Sequence, residues 1–442
     1  MGLAQGLPAL SRSSGFRFFV LFVVLLTQGF PLGLFFFALP IWLAASDVPA
    51  ASIGLIISAA TLPWTFKFFS GVLMDRYTFL PMGKRRPWLI GAQGFIVLAL
   101  LVGAYINPDE TTLFTLMAVA FSVNAFCAFQ DTAISGLAVD VVPEDERARA
   151  NGFILAGEAV GTAIGTILSG VLIAQMGVAA AFYGMALFVG LSLILLLFVR
   201  ERPGERLLPW TSGQVSGDAQ AQIASGWSAL FGAVWQVMSK QSSILLAMAL
   251  ALYGFAFGLY AVAGPIIATQ FGGWSEESYA TLNGVASLVA GLLGMLIFGW
   301  LVDQIGARWG RTIGMFLYAL VGVVFVLSAP LWQTQLVFIF VVFLAFTSDV
   351  LMRIGAYATA MGLCDGKGAA TQFALFLACA NFGTILSGAV VGWLDAAGGQ
   401  TLILLTSSFA GLIATAMFWV IKRDANKSEK ILWPDPMARD SK

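Results

Sequence analysis

The hexapeptide Gly165-Thr166-Ile167-Leu168-Ser169-Gly170 returns letter for letter as Gly383-Thr384-Ile385-Leu386-Ser387-Gly388, 383 − 165 = 218 residues further along a chain of 442. One such match in a sequence of biased composition carries little weight, but three others share nearly the same offset. Gly29-Phe30-Pro31-Leu32-Gly33-Leu34, followed by Pro40-Ile41, is echoed by Gly254-Phe255-Ala256-Phe257-Gly258-Leu259 and Pro265-Ile266, at 254 − 29 = 225. Gly71-x-x-x-Asp75 is echoed by Gly299-x-x-x-Asp303, at 299 − 71 = 228, and Asp131 by Asp349, again at 218. The chain is therefore written as two related halves.

The apolar class makes up 59% of the residues, charged residues only 10%, and the mean hydropathy is +0.89. A soluble domain carries about a quarter charged residues, so this chain is expected to be an all-α integral membrane protein. A crossing helix needs roughly 20 mostly apolar residues. Apolar stretches lie near 17–45, 50–74, 88–106, 112–141, 150–174, 178–199, 242–271, 275–301, 312–330, 332–362, 369–396 and 400–421. That predicts twelve transmembrane helices. The first stretch is far longer than the apolar core of a signal peptide and is read as a span. An even number per half sets the two six-helix halves the same way up, as parallel pseudo-repeats.

The expected division is 1–200 and 242–422 for the halves, 201–241 for a linker and 423–442 for a charged tail. Within the linker, Trp227 to Met238 has apolar residues at helical spacing, which fits an amphipathic helix on the membrane surface or an extended first turn of the seventh span.

All but two of the 23 Lys and Arg residues fall at the amino terminus, in alternate loops or in the tail, while the opposite loops carry acids such as Asp47, Asp109, Glu276 and Glu277. Both termini are then expected on the cytoplasmic side. The exceptions, Lys67 and Arg353, lie inside spans together with Asp131, Glu158 and Asp349. Charges at that depth are costly and usually functional. Asp349 and Arg353 are four apart on one helix face and can pair, either as a static pair or as a gated one. Asp131 holds the matching place in the other half, as a proton carrier or as the partner of Lys67. Lys67, unless it snorkels to the helix end, pairs with Asp131 or binds an anionic substrate group. Glu158 is a second titrating group or an interdomain contact. We take Asp131, Glu158 and Asp349 as candidates for proton coupling. Gln28, Trp42, Lys67, Asn124, Tyr253, Tyr260 and Arg353 are the candidates for substrate binding.

The loop after the second span carries Gly71, Asp75, Arg76 and then Lys84, Arg85 and Arg86. Its shorter echo runs from Asp303 through Arg308 to Arg311. These charges are candidate conformational gates between helix ends, or simply set topology. The chain has no histidine, and its three cysteines, Cys127, Cys364 and Cys379, lack metal spacing and read as reduced packing residues. No metal or cofactor is expected. The formal net charge of zero argues against nucleic-acid binding. A membrane enzyme is disfavoured because no nucleophile stands beside a base.

Gly71 to Arg86 resembles the signature loop of major facilitator transporters. More narrowly, Leu62-Pro63-Trp64-Thr65-Phe66-Lys67-Phe68, Asp75-Arg76-Tyr77 and Gly83-Lys84-Arg85-Arg86-Pro87-Trp88 resemble the AmpG-type muropeptide permeases of the peptide–acetyl-CoA–drug transporter group. Gln130-Asp131, with Asp140, Pro143, Glu146 and Arg147, matches the same group. The run Gln130-Asp131-x-Ala133-x-x-Gly136-Leu137-Ala138-Val139 is similar to the group's siderophore importers. The resemblance implies the major facilitator fold, with the first, fourth, seventh and tenth spans lining a central path. It also implies proton-driven import through a bacterial inner membrane, with Lys67 and Asp131 near that path. The expected activity is proton-coupled secondary transport of an anionic or amphipathic organic solute by an alternating-access monomer. The alternatives are a drug or metabolite antiporter, and a non-transporting membrane sensor.

Overall fold

The computed structural model describes residues 9–109, 111–143, 147–215, 232, 235–364 and 369–421. Among them the regular structure is helical, joined by short turns and loops, apart from one isolated bridge between Ala9 and Arg200. The first half contains α1 (Ser14–Ala45), α2 (Ala50–Thr65 continued by Lys67–Arg76), α3 (Arg86–Ile106), α4 (Leu113–Val141), α5 (Arg147–Met176) and α6 (Val178–Leu197). The second contains α7 (Gln241–Phe271), α8 (Glu276–Val302), α9 (Ala307–Leu327) and α10 (Gln335–Leu363). The last helical run, Ala369–Val420, is 52 residues long, or about 78 Å at 1.5 Å per residue, far more than one bilayer crossing. It breaks at Gly398 and Gly399, whose backbone angles are not helical. The pieces before and after the break, 369–397 and 400–420, are α11 and α12.

Twelve crossings therefore result, with two departures from the sequence reading. The ninth begins at Ala307 and not near 312, because Arg311 is accommodated inside it. The second is not continuous. Pro63 has no amide hydrogen to donate and crowds the preceding turn. Phe66 leaves the helical region (φ −100°, ψ 8°), and Lys67 opens a new helix.

The repeated hexapeptide is a packing device. In the first copy Gly165 lies against the backbone of Phe30 in α1; in the second Gly383 lies against Ala251 and Phe255 in α7. A Cβ at either site would enter a neighbouring carbonyl. The closing glycines reach across to the other half, Gly170 to Ala280 in α8 and Gly388 to Gly54 and Ser58 in α2. Each copy thus knits its own half with one end and joins the halves with the other. In a bilayer, where lipid tails are as apolar as the helices, such close van der Waals contact is a main source of helix association. Ser58 Oγ also donates to Ile385 O (3.2 Å), Gln270 Nε2 to Ala44 O (2.9 Å), and Phe37 packs on Phe346 with centroids 5.7 Å apart. Ala44, Phe37 and Gly54 place much of this inter-half seam toward the cation-poor end.

At the cation-rich end each half is tied to itself. Arg86 donates to Leu196 O, Leu197 O and Arg206 O at 2.9–3.1 Å, and Arg311 donates to Phe418 O and Ile421 O at 3.0–3.2 Å. Both guanidinium groups satisfy carbonyls at the end of the half's last helix, and 311 − 86 = 225 makes them another repeated pair. Lys84 and Arg85 contact Asp140 Oδ2 of α4 at 3.5 and 3.2 Å. The start of the linker folds onto this face. Glu201, fully buried, accepts the backbone N–H groups of Lys84, Arg85 and Arg86 at 2.5–2.9 Å, a carboxylate at the positive end of α3. Gly83, at φ 103°, has no Cβ because that position is filled by the Glu201 carboxylate. Most of the stretch Trp227 to Met238, residue 422 and all of the tail 423–442 lie outside the described residues. The described part from Trp235 to Met238 is helical, with Trp235 exposed and Val237 buried.

Two outcomes follow from this packing. Gly383→Ala places a methyl on Ala251 O and should lower the thermal midpoint of the purified protein, since overpacking costs typically about 1–3 kcal/mol. Gly94→Ala, which meets nothing within 4 Å, should leave it unchanged. The second outcome concerns Glu205. Burial, and then the neighbouring Glu201 charge, push its carboxyl up to about 7, against the opposing pull of Arg202 and Arg86. A carboxyl raised in the folded state favours folding below its unfolded value, and that contribution is lost as pH rises through 7. The midpoint should fall between pH 5 and 8, and Glu205→Gln should flatten the fall and lie above the parent at pH 8.

Candidate functional site

Five ionisable side chains from four helices, α2, α4, α5 and α10, face one another between the halves. Lys67, at the head of the second piece of α2, sets its Nζ 3.1 Å from Asp131 Oδ2 on α4. Gln28 of α1 donates through Nε2 to the other oxygen, Asp131 Oδ1, at 3.2 Å, and its own Oε1 accepts from Gln130 Nε2 at 3.2 Å. The carboxylate, carried by α4, is therefore held by side chains from α1 and α2. Trp64 lies beneath Lys67, whose ammonium is 5.8 Å from the indole centre, and Trp64 Nε1 donates to Asn124 Oδ1 at 3.0 Å. In the second half Arg353 reaches back one turn to Asp349, Nη2 to Oδ2 at 2.6 Å, and Tyr253 of α7 donates its hydroxyl to Asp349 Oδ1.

The pairs differ in access. Asp349 is buried, but the Arg353 side chain is 43% exposed, while Lys67 and Asp131 are 17% and 19% exposed. Arg353 has spent one nitrogen on Asp349 and presents the rest of its fork between the halves. Glu158 of α5 lies within electrostatic reach of Asp131, Lys67 and Arg353. Among the described residues it has neither a hydrogen bond nor an ion pair. The local tally is two cations and three carboxylates, with each cation already matched. Glu158 is the odd charge.

Asp131, Glu158, Asp349, Lys67, Arg353, Gln28 and Tyr253 are thus brought together. Asn124 is fully buried one layer away, with its amide committed to Trp64 and to Ala120 O. Tyr260 packs on Tyr318 and Phe325 two turns from Tyr253. Trp42 sits 14 residues beyond Gln28 on α1, about 21 Å along the helix, packed against the core. Of the candidate gates, Gly71 rests against Thr132, and Lys84, Arg85, Arg86 and Arg311 make the intra-half contacts described above. Arg308 stacks on Trp419. Asp75, Arg76 and Asp303 lie in helices, but their side chains fall outside the described residues. Tyr357 escaped the sequence reading. It neighbours Arg353, Lys67 and Glu158 electrostatically, and its ring meets Phe373 at 5.9 Å. The signal was present: Asp349, Arg353 and Tyr357 recur every fourth residue on one helix face. Cys127 is buried one turn before Asp131, and all three cysteines are free.

Comparison with known proteins agrees with this architecture. The family model described as Major Facilitator Superfamily matches residues 21–272 and 246–438. The chain is 25% identical over 428 residues to the anhydromuropeptide permease of Escherichia coli K12, covering 91% of this chain and 79% of that protein. It is 25% identical over 399 residues to the putative transporter AmpG 4 of Rickettsia felis, covering 86% and 91%. Among solved structures, a bacterial homolog of the human lysosomal transporter Spinster, in an inward-facing and unoccupied conformation, superposes with a TM-score of 0.70 at 14% identity. That match covers 92% of this chain and 97% of the other. A POT family transporter in complex with 5-aminolevulinic acid gives 0.66 at 15% identity, with 92% and 95% covered. At those identities the structural matches speak for the fold alone. The chain belongs to the major facilitator superfamily and is a multi-pass membrane protein similar in sequence to muropeptide permeases.

Proposed function

We propose that this protein is a proton-coupled importer of an anionic or amphipathic organic solute, muropeptide-like or siderophore-like. It would work by alternating access as a monomer in a bacterial inner membrane, with both termini cytoplasmic. The observation that carries the reading is the odd carboxylate. A charge with no counter-ion at membrane depth is costly, so Glu158 is the acid of the five most ready to exchange a proton with water. Lys67 and Arg353, from opposite halves, are the cations an anionic solute would meet, and Trp64 and Tyr357 offer aromatic surface beside them. An added anion raises the local negative charge, and a proton on Glu158 restores the balance. Solute and proton then bind together, which is symport. Asp131 and Asp349 hold the two cations in place and take them back when the solute leaves. The inter-half seam toward the cation-poor end supports a state open to the cytoplasm.

The test is uptake into proteoliposomes of defined pH gradient, with anhydromuropeptides and siderophores as probes. Accumulation driven by an inward proton gradient supports import, and movement of solute against the proton flux establishes the antiport alternative. Glu158→Gln should abolish accumulation above equilibrium while leaving solute counterflow intact; equal accumulation by parent and variant would end the coupling role. Arg353→Ala should raise the half-saturating solute concentration about tenfold or more, the worth of a hydrogen bond to a charged group being about 1.5–3 kcal/mol. Arg353→Lys should recover only part of that loss, because a lysine lacks the planar fork.

A further inference from the structure

The outer surface of the second half carries a groove of about 590 Å³ between α9 and α12. It is lined by Thr312, Ile313, Phe316, Leu412, Thr415 and Trp419, almost wholly with apolar atoms. A second hollow of about 370 Å³, formed by Ile305, Trp309 and Ile313, continues it toward the start of α9. There the Arg308 guanidinium stands 4.0 Å from the centre of the Trp419 ring, and Trp309 meets the same ring edge-on at 5.0 Å. Arg308 is exposed and has no carboxylate partner among the described residues. One turn on, the Thr312 hydroxyl is buried without a hydrogen-bond partner. Lys422 and Arg423 follow in the sequence directly after α12.

This arrangement is not demanded by the repeat. At the offset of 225 that relates Arg311 to Arg86, Arg308 corresponds to Gly83 and Trp419 to Ile194. In the first half that corner is closed by the carboxylate of Glu201. At the same corner the second half has a cation with no carboxylate partner among the described residues, and an apolar groove leads from it into the membrane. Tryptophan and arginine at the end of a span mark the headgroup level, and basic pockets between membrane helices on the cytoplasmic side recognise anionic headgroups.

We infer that this groove binds one anionic phospholipid, its acyl chain along Ile313, Phe316 and Leu412 and its phosphate paired with Arg308. Charge complementarity selects the lipid: the groove accepts any acyl chain, and the cation prefers a net negative headgroup over a zwitterionic one.

The experiment uses the full chain in nanodiscs of phosphatidylcholine doped with phosphatidylglycerol that carries a photoactivatable acyl chain, with the matching phosphatidylcholine probe as control. Crosslinks from the anionic probe should concentrate on peptides spanning 305–316 and 412–420. Its apparent affinity should exceed that of the zwitterionic probe and fall about fivefold in Arg308→Gln, the worth of roughly one cation near an anionic headgroup. Arg308→Lys should retain most of it, which separates loss of charge from loss of fold. Equal labelling by both probes, or crosslinks spread evenly over the lipid-facing helices, would overturn the inference. So would a groove left unlabelled because the chain's own C-terminal residues or a second copy of the chain occupies it. The lipid site does not depend on the transport reading, since solute uptake is not its readout.

Discussion

A lysine ammonium placed about eight residues inside the membrane is tolerable only with an anion beside it, because the bilayer offers no water to take the anion's place. Lys67 and Asp131 meet that condition at 3.1 Å, and much of the first half is arranged around them. The break at Phe66 brings Lys67 to the head of a new helix. Gln28 fixes the second oxygen of Asp131, and Gln130 fixes Gln28 while also donating to Val24 O at 3.2 Å. Each donor is spent on a named acceptor, so the carboxylate is oriented as well as neutralised. Removing one member of a buried pair costs about 3–5 kcal/mol, mostly through the charge left behind. The exposure of this pair lowers that figure without removing it.

The glycine contacts serve the opposite purpose. Where the halves and their helices must approach closely, polar side chains are replaced by bare backbone, and van der Waals contact supplies the adhesion. Gly161 against Leu26 and Gly254 against Ala380 repeat the pattern set by the hexapeptides. Serine and threonine line the same seams and return their hydroxyls to carbonyls, as Thr384 does to Gly254 O at 3.0 Å. Such a seam has few directional bonds to break. It suits surfaces that slide or rock, whereas the charged centre suits a site that must recognise.

Most of the architecture was legible because membrane spans announce themselves by composition and the repeat by identity. The charged residues at the centre were found by the same logic, since charge at depth is rare. What stayed hidden depended on geometry that no local pattern encodes. Arg86 and Arg311 read as gate or topology charges, and nothing local in the sequence points to their partners, which are carbonyls more than a hundred residues away. Glu201 read as part of a linker, although it is the cap of α3. The break in α2 was foreshadowed by Pro63, but a proline inside an apolar run bends some helices and not others. Trp42 and Tyr260 were candidates for substrate binding. Their helices carry them a turn or more away from the charges, where packing claims them.

The two halves are alike in their frames and unlike in their centres, and that difference bears on how the protein moves. Arg86 and Arg311 lock the last helix of each half to its third, at matching positions, so each half is braced as a unit at its cation-rich end. At the centre the first half holds its acid, on α4, with partners from two other helices, α1 and α2, while the second holds its acid with an arginine one turn away on the same helix and a tyrosine from α7. Displacing Arg353 from Asp349 breaks a contact within one helix, whereas displacing Lys67 from Asp131 breaks a link between α2 and α4. On the proposed transport reading, an anion arriving between them would engage Arg353 at small structural cost and Lys67 at a larger one. Binding energy gained at Arg353 would then be available to open the pair in the first half. The order of events follows from which ion pair is local and which is not.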